Sequence, residues 1–311
     1  MRALVTGGAG FIGSHLVDKL VEKGWHVVVY DNLSTGSKEN VSQKKNVTFV
    51  NADIRDEKKL KQAVKNVECV FHQAAVTSVP RSLKEPQLYF DVNIGGTYKV
   101  LEAARLAGVK RVVCASSSSV YGDEAMLPLK EEKTGTRLSP YAISKYSAED
   151  VCKFFWKVHG LETVSLRYFN VFGPRQNPYS QYSAVVPKFI MLMLKGKPPS
   201  IFGDGEQMRD FTFVENVVHA NLLAASARKA PGHSINIANR QGMTVNELVK
   251  KLNRVLKTNI KPVHVAPRQG DIRHSLGDNE KAKRLLGYNS IKSIDEGLRV
   301  TVEWYKKKKL V

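Results

Sequence analysis

The first twenty residues, MRALVTGGAGFIGSHLVDKL, restrict this chain more than any other stretch. Ala3-Leu4-Val5 is an apolar run without polar alternation, the pattern of a parallel strand buried on both faces. Gly7, Gly8, Gly10 and Gly13 follow; then Phe11, Ile12, His15, Leu16, Val17 and Leu20 recur at helical spacing. The order is strand, tight turn, helix, and both GxxGxxG and GxGxxG can be read in it. Glycine suits such a turn because the backbone angles are unusual, a pyrophosphate must come close, and the helix must pack hard on the strand. The helix N-terminus then offers free N–H groups and a partial positive charge to the phosphates. A second strand, Trp25 to Tyr30, ends at Asp31. That carboxylate lies about twenty residues on, where it accepts hydrogen bonds from an adenosine ribose and repels a 2′-phosphate. The turn therefore predicts a dinucleotide, NAD rather than NADP.

Strand and helix signals alternate onward. Val47 to Val50, Cys69 to His72, Val112 to Ala115 and Val164 to Arg167 are expected strands; Asp56 to Val64, Pro86 to Ala107 and Pro140 to His159 are expected helices. Such alternation implies a doubly wound parallel sheet, in which ligands bind beyond the carboxyl ends of the strands. After Asn170 the pattern breaks at Gly173-Pro174-Arg175-Gln176-Asn177-Pro178. Helical pieces (Val185 to Leu194, Glu215 to Ala225, Val245 to Leu256, Ile294 to Tyr305) then alternate with short extended segments. The expected fold is α/β, a Rossmann-type sheet with a smaller mixed α/β substrate-binding domain. Residues 1–170 with about 214–258 form the first, and about 171–213 with 259–311 the second.

A chain of 311 residues can bury a large core. No stretch has the length and apolarity of a membrane helix, and the N-terminus begins at once with a core strand, so a cytoplasmic protein without membrane contact is expected. Cys69, Cys114 and Cys152 lie in apolar runs without metal-like spacing, as buried reduced thiols do, and no metal is expected. With 48 basic and 29 acidic residues the net charge is +19, which favours an anionic ligand. The lysines are scattered, with one dense run from Lys306 to Lys309, and no nucleic-acid motif accompanies them; nucleic acid is not the expected partner.

The chemistry is expected from Ser117, Tyr141 and Lys145. Ser116-Ser117-Ser118-Ser119 follows the fifth strand, although four serines are also ordinary loop composition. Tyr141 and Lys145 stand four apart on one helix face. A free phenol, with its pKa about 10, is a poor base near neutrality. A lysine one turn away and an oxidised nicotinamide would favour the phenolate, giving a base for an alcohol that loses hydride.

The motifs TGGAGFIGSH, YDNLSTG, NADIRD, FHQAA, SSSSVYG, SPYAISK, LRYFNVFGPR, FGDGEQMRDFTFV and APRQGDIRHS occur in order. On these the chain resembles the extended short-chain dehydrogenase/reductases along essentially its whole length, and among them the nucleotide-sugar 4-epimerases. The resemblance implies tightly held NAD. Its contacts would be Gly7, Gly10, Phe11, Ile12 and Gly13 at the pyrophosphate, and Asp31, Asn32, Ser34, Thr35 and Gly36 around the adenosine ribose. Asp53 and Ile54 would meet the adenine; Gln73, Ala74, Ala75, Thr77 and Asn93 would line the cofactor; Tyr141, Lys145 and Phe169 would lie at its nicotinamide end. The implied UDP-sugar site comprises Ser78, Ser117, Ser118, Ser119, Tyr141, Asn170, Ala184, Val185, Arg209, Arg268, Asp271 and Ser275, with the two arginines suited to a diphosphate. The resemblance also implies a homodimer, joined through the two long helices as a four-helix bundle.

Related 4,6-dehydratases carry an Asp-Glu pair before the Val-Tyr-Gly, and related UDP-glucuronate decarboxylases a glutamate. This chain has Ser118 and Ser119, which favours simple 4-epimerisation. In the family a tyrosine four residues past the Asp of APRxGD restricts the site to glucose and galactose, and a small residue admits N-acetyl sugars; here the position is Ser275. The expected substrates are UDP-GlcNAc and UDP-GalNAc, with UDP-glucose and UDP-galactose. A UDP-glucose-only or UDP-glucuronate epimerase, and a non-catalytic NAD- or RNA-binding relative, are the alternatives.

Overall fold

The computed structural model describes residues 1–41, 43–179, 184–267 and 272–308. Six strands come first: β1 (Arg2–Thr6), β2 (His26–Asp31), β3 (Val47–Asn51), β4 (Cys69–His72), β5 (Arg111–Ser117) and β6 (Glu162–Tyr168). Four short ones follow, β7 (Val171–Phe172), β8 (Ser200–Phe202), β9 (Met208–Asp210) and β10 (Thr212–Phe213), before β11 (Ser234–Ile237), β12 (Gly242–Thr244), β13 (Val263–Val265) and β14 (His274–Ser275). The central sheet has seven strands in the order β11-β6-β5-β4-β1-β2-β3, all parallel. The winding reverses between β1 and β4, the crevice where open sheets of this kind take ligands.

Alternate residues explain the burial of both faces. Ala3, Val5, Val27 and Val29 enter one core; Leu4, Val28 and Tyr30 enter the other. The first core is covered by α1 (Phe11–Glu22), and the second by α2 (Glu57–Ala63). Asp56 caps α2 through the Lys59 N–H at 3.0 Å.

The stretch expected as one helix from Pro86 to Ala107 is interrupted. Beyond α3 (Val79–Lys84), α4 (Pro86–Tyr89) passes into a π-helical segment, Phe90–Gly96, and then into α5 (Thr97–Leu106). The wider turn lets the Asn93 side chain leave the helix. It accepts from the Val76 N–H at 2.8 Å, and donates to the Val76 carbonyl and to Ser144 Oγ, both at 3.0 Å. The bends of helices at such segments are common near functional sites. By contrast α6 (Pro140–His159) spans its expected range, with Ser139 as N-cap, Pro140 in the first turn and Gly160 in the left-handed conformation at its end.

A third core gathers α7 (Val185–Leu194), α9 (Val245–Leu256) and α11 (Ile294–Lys307) around Phe172, Phe213 and Leu248. Within 214–258, α8 (Val214–Ser226) and β11 lie with the large sheet while α9 packs in this smaller core. Helix α10 (Glu280–Leu286) adds Ala282 and Leu286 to the sheet's first core. Among the described residues no helix is long and apolar enough to cross a membrane.

Candidate active site

The glycine turn and the loop after β4 interlock at the crevice. Gly7 has φ +68°, and a Cβ there would stand 2.7 Å from the Ala74 nitrogen. A Cβ on Gly13 would stand 2.1 Å from the Gly7 carbonyl oxygen, so nothing larger than hydrogen fits. Helix α1 begins at Phe11 with no side chain capping it, and its first N–H groups face the turn as ready anion donors. The Asp31 carboxylate is buried; it accepts from Ala9 N–H at 3.0 Å and Leu33 N–H at 2.8 Å. A close backbone approach, an uncapped helix start and a fixed carboxylate together fit a dinucleotide.

Other residues expected at the cofactor are distributed as follows. Asn32 donates to Asp53 at 2.9 Å and accepts from Ser34 N–H at 3.0 Å. Ser34 and Thr35 are exposed beside Gly36, which abuts the Ala9 carbonyl. Arg55 grips Asp53 through two bonds of 2.8 and 2.9 Å, and this pairing holds the carboxyl at about 2. Ile54 is buried against Gly96. Gln73 donates to Asn221 at 3.1 Å and accepts from Tyr168 at 3.1 Å. The Ala74 N–H reaches Thr6 Oγ1 at 3.3 Å. Ala75 and Thr77 continue this loop, and both amide hydrogens of Asn93 are engaged within the protein.

The three chemically active candidates converge where β5 ends. Ser117 is the last residue of β5, and its hydroxyl accepts from Ser119 N–H at 3.2 Å as the chain turns through Ser118–Tyr121. The Ser117 hydroxyl also faces the Tyr141 phenol. Burial pushes that phenol up from its ordinary range, and the nearby Ser117 hydroxyl partly offsets this. The Lys145 ammonium donates to the Ala115 carbonyl at 2.9 Å. Lys145 is buried, which brings it down to about 8. One of its three N–H groups is thus used. Ser119 Oγ is buried without a partner. Phe169 is fully buried and packs on the Tyr121 ring, 6.0 Å between centroids.

Sequence reasoning missed Tyr89. Its hydroxyl bridges the carbonyls of Thr77 and Ser78 at 2.6 and 2.8 Å, and its ring meets the Tyr141 ring edge-on at 6.2 Å. Ser78 stands at φ +95°, a strained conformation costing about 1–3 kcal/mol, and N-caps α3. No local pattern announces this contact, because Tyr89 meets Tyr141 across the fold.

On the opposite side, Asn170 at φ +29° donates to the Asp210 carbonyl at 3.2 Å. Arg209 lies on β9, paired in register with Ser275 of β14 and Met243 of β12. Ser275 is buried. Ala184 caps the start of α7, which begins at Val185. Arg268 and Asp271 lie outside the described residues. Between β8 and Arg273 is a cavity of about 350 Å³ lined by Phe202, Gly203, Asp204, Gln207, Pro267 and Ile272. The Asp210 carboxylate accepts backbone N–H groups from Asn239, Arg240 and Gly277, and burial raises it to about 6. It ties β9 to the loop beside Ser275.

A model of the NAD dependent epimerase/dehydratase family matches residues 3–238. The UDP-glucose 4-epimerase of Mycolicibacterium smegmatis is 38% identical over 313 residues, 99% of each chain. The solved UDP-N-acetylglucosamine 4-epimerase of Methanobrevibacter ruminantium M1, in complex with UDP-N-acetylmuramic acid, is 41% identical with a TM-score of 0.95, over 99% of this chain and 98% of that one. The solved UDP-glucose 4-epimerase of Thermotoga maritima with UDP-glucose is 43% identical with a TM-score of 0.94, over 99% of both.

Proposed function

The chain belongs to the NAD-dependent epimerase/dehydratase family, with NAD as its cofactor, and from that premise we propose that it is a UDP-sugar 4-epimerase converting UDP-GlcNAc and UDP-GalNAc, and UDP-glucose and UDP-galactose as well. The observation that carries this is the meeting of Ser117, Tyr141 and Lys145 at the end of β5, with Ser118 and Ser119 where an eliminating or decarboxylating site needs an acid.

NAD, when bound, would supply reversible hydride chemistry at sugar carbon 4. Tyr141 takes the proton of the 4-hydroxyl, and Ser117 orients the same oxygen. The two N–H groups of Lys145 beyond the one given to Ala115 hold the nicotinamide ribose, and its charge stabilises the phenolate. Tyr141 returns the proton to the 4-oxygen after the 4-keto sugar has turned about its diphosphate link. Gly7, Gly10, Phe11, Ile12 and Gly13 hold the pyrophosphate of the cofactor, and Asp31 the adenosine ribose. Arg209 and Arg268 hold the diphosphate of the substrate. Ser275, in register with Arg209, leaves room for a 2-N-acetyl group.

Tyr98 and Leu106 of α5, and Phe154 and Val158 of α6, are exposed apolar side chains at helical spacing. They support a homodimer joined through these helices, and the three buried free thiols support a reducing, cytoplasmic setting. The test offers UDP-GlcNAc and UDP-glucose separately to purified protein without added NAD, and follows the 4-epimers by proton NMR. Conversion of both is expected. Conversion of UDP-glucose alone removes the role of Ser275; conversion of UDP-glucuronate alone replaces the substrate assignment.

A further inference from the structure

Helix α6 buries a carboxylate, Glu149, besides Ser144 and Lys145. Glu149 lies one turn past Lys145 on the same face and is 1% exposed. Both of its oxygens are saturated. Oε1 accepts from Ser116 Oγ at 2.5 Å and Arg167 Nε at 2.9 Å; Oε2 accepts from Arg167 Nη2 at 2.8 Å and Ser234 Oγ at 2.7 Å. The donors stand on β5, β6 and β11, three neighbouring strands. Arg167, 2% exposed, is itself fixed: it lies 4.9 Å over the Tyr121 ring and donates to the Glu131 carbonyl at 3.3 Å. Ser116 adjoins Ser117, and Glu149 shares a helix face with Tyr141. The helix cannot slide along the sheet without breaking charge-assisted bonds inside the core.

We propose that Glu149 is a positioning residue that fixes α6 on β5, β6 and β11 and so aligns Tyr141 and Lys145 with Ser117. This rests on the roles given above to those three residues. A second consequence is electrostatic. Lys145 is faced by Glu149 and Cys152 on its own helix, Cys114 on β5 and His72 on β4. Burial lowers Lys145, while Cys114, Cys152 and Glu149 oppose this. His72, bonded to Thr6 and Thr97, is held neutral by burial. Glu149 is the acid among these that is charged near neutrality, and it also offsets Arg167 on β6.

The test is Glu149→Gln in the cofactor-loaded protein. The expected result is retained cofactor, a kcat lower by about 10–100-fold and KM changed by less than about threefold. The alkaline limb of the kcat profile moves to lower pH. The ¹⁵N resonance of Lys145, assigned by its loss in Lys145→Met, titrates with a lower midpoint than in the parent protein. Ser116→Ala, which removes only the donor beside Ser117, lowers kcat by about 3–10-fold at unchanged KM. If Glu149→Gln does not fold, Ser116→Ala and the uncharged pair Glu149→Leu with Arg167→Met decide, with lowered kcat in both expected. Parental kcat in the variants that fold, with an unmoved limb and Lys145 midpoint, overturns the proposal. A parent protein that turns over no UDP-sugar sinks the epimerase reading instead, and the Lys145 titration then still tests Glu149.

Discussion

The crevice proposed for the cofactor and the side proposed for the sugar meet near the ends of β5 and β6 but are held by different means. The crevice is fixed by backbone. Gly7 and Gly13 touch main-chain atoms, Asp31 holds the amides of Ala9 in the turn and of Leu33 after β2, and Asn93 holds both polar groups of Val76. The proposed sugar side rests on two- and three-residue strands, with Arg209 paired with Ser275 across β9 and β14, flanked by an exposed Asp204–Arg273 side-chain pair at 2.7 Å. Backbone contacts admit almost no substitution, whereas side chains on short strands can be exchanged within the same frame. The contrast matches a fixed redox chemistry serving a changeable sugar.

The widest separation between the two regions is expected from Gly13→Ala. The added carbon meets a backbone oxygen that cannot move aside, so stability falls by about 3 kcal/mol or more and bound NAD is lost, read by thermal melting and by cofactor released on denaturation. Gly24→Ala, at φ +78° but with nothing within 4 Å, costs only about 1 kcal/mol. At the junction, Tyr141→Phe lowers kcat by about a thousandfold with fold and NAD content intact, measured by single-turnover kinetics. On the sugar side, Ser275→Tyr abolishes conversion of UDP-GlcNAc and leaves that of UDP-glucose within about threefold. Equal loss on both sugars would erase the contrast.

The smallest effect concerns the crevice rim. Asp53, held at about 2 by Arg55, has a folded pKa below that of an unfolded aspartate, about 4. The pair therefore stabilises above about pH 4 and fades as pH falls toward about 2. Both side chains are partly exposed, so Arg55→Ala is expected to cost only about 1 kcal/mol at pH 7 and a small part of that at pH 2, by urea denaturation.

What was legible in the sequence was local. The glycine turn, Asp31 at a strand end, and the helix from Pro140 to His159 follow from spacing. The helix broken at Phe90–Gly96 was not legible, because Asn93 is drawn out by partners in the β4 loop and α6. The raised phenol of Tyr141 was not legible either: a lysine at helical spacing can be seen in sequence, but burial by distant segments and the Ala115 carbonyl cannot. Glu149 lies four residues past Lys145, so its face was readable, but its donors at 116, 167 and 234 were not. The short strands of the sugar side carry too few residues to show a period.

The seven residues of Phe90–Gly96 also act as a spacer with a rotational phase. Each residue of a regular α-helix turns the chain by about 100°. Deleting one residue there would let α4 and α5 join as a regular helix with Tyr98 and Leu106 kept on the face that exposes them, but would remove the wide turn from which Asn93 leaves the helix. A change in length here would therefore be felt first at the Asn93 clamp, which ties this helix to Val76 in the β4 loop and to Ser144 of α6.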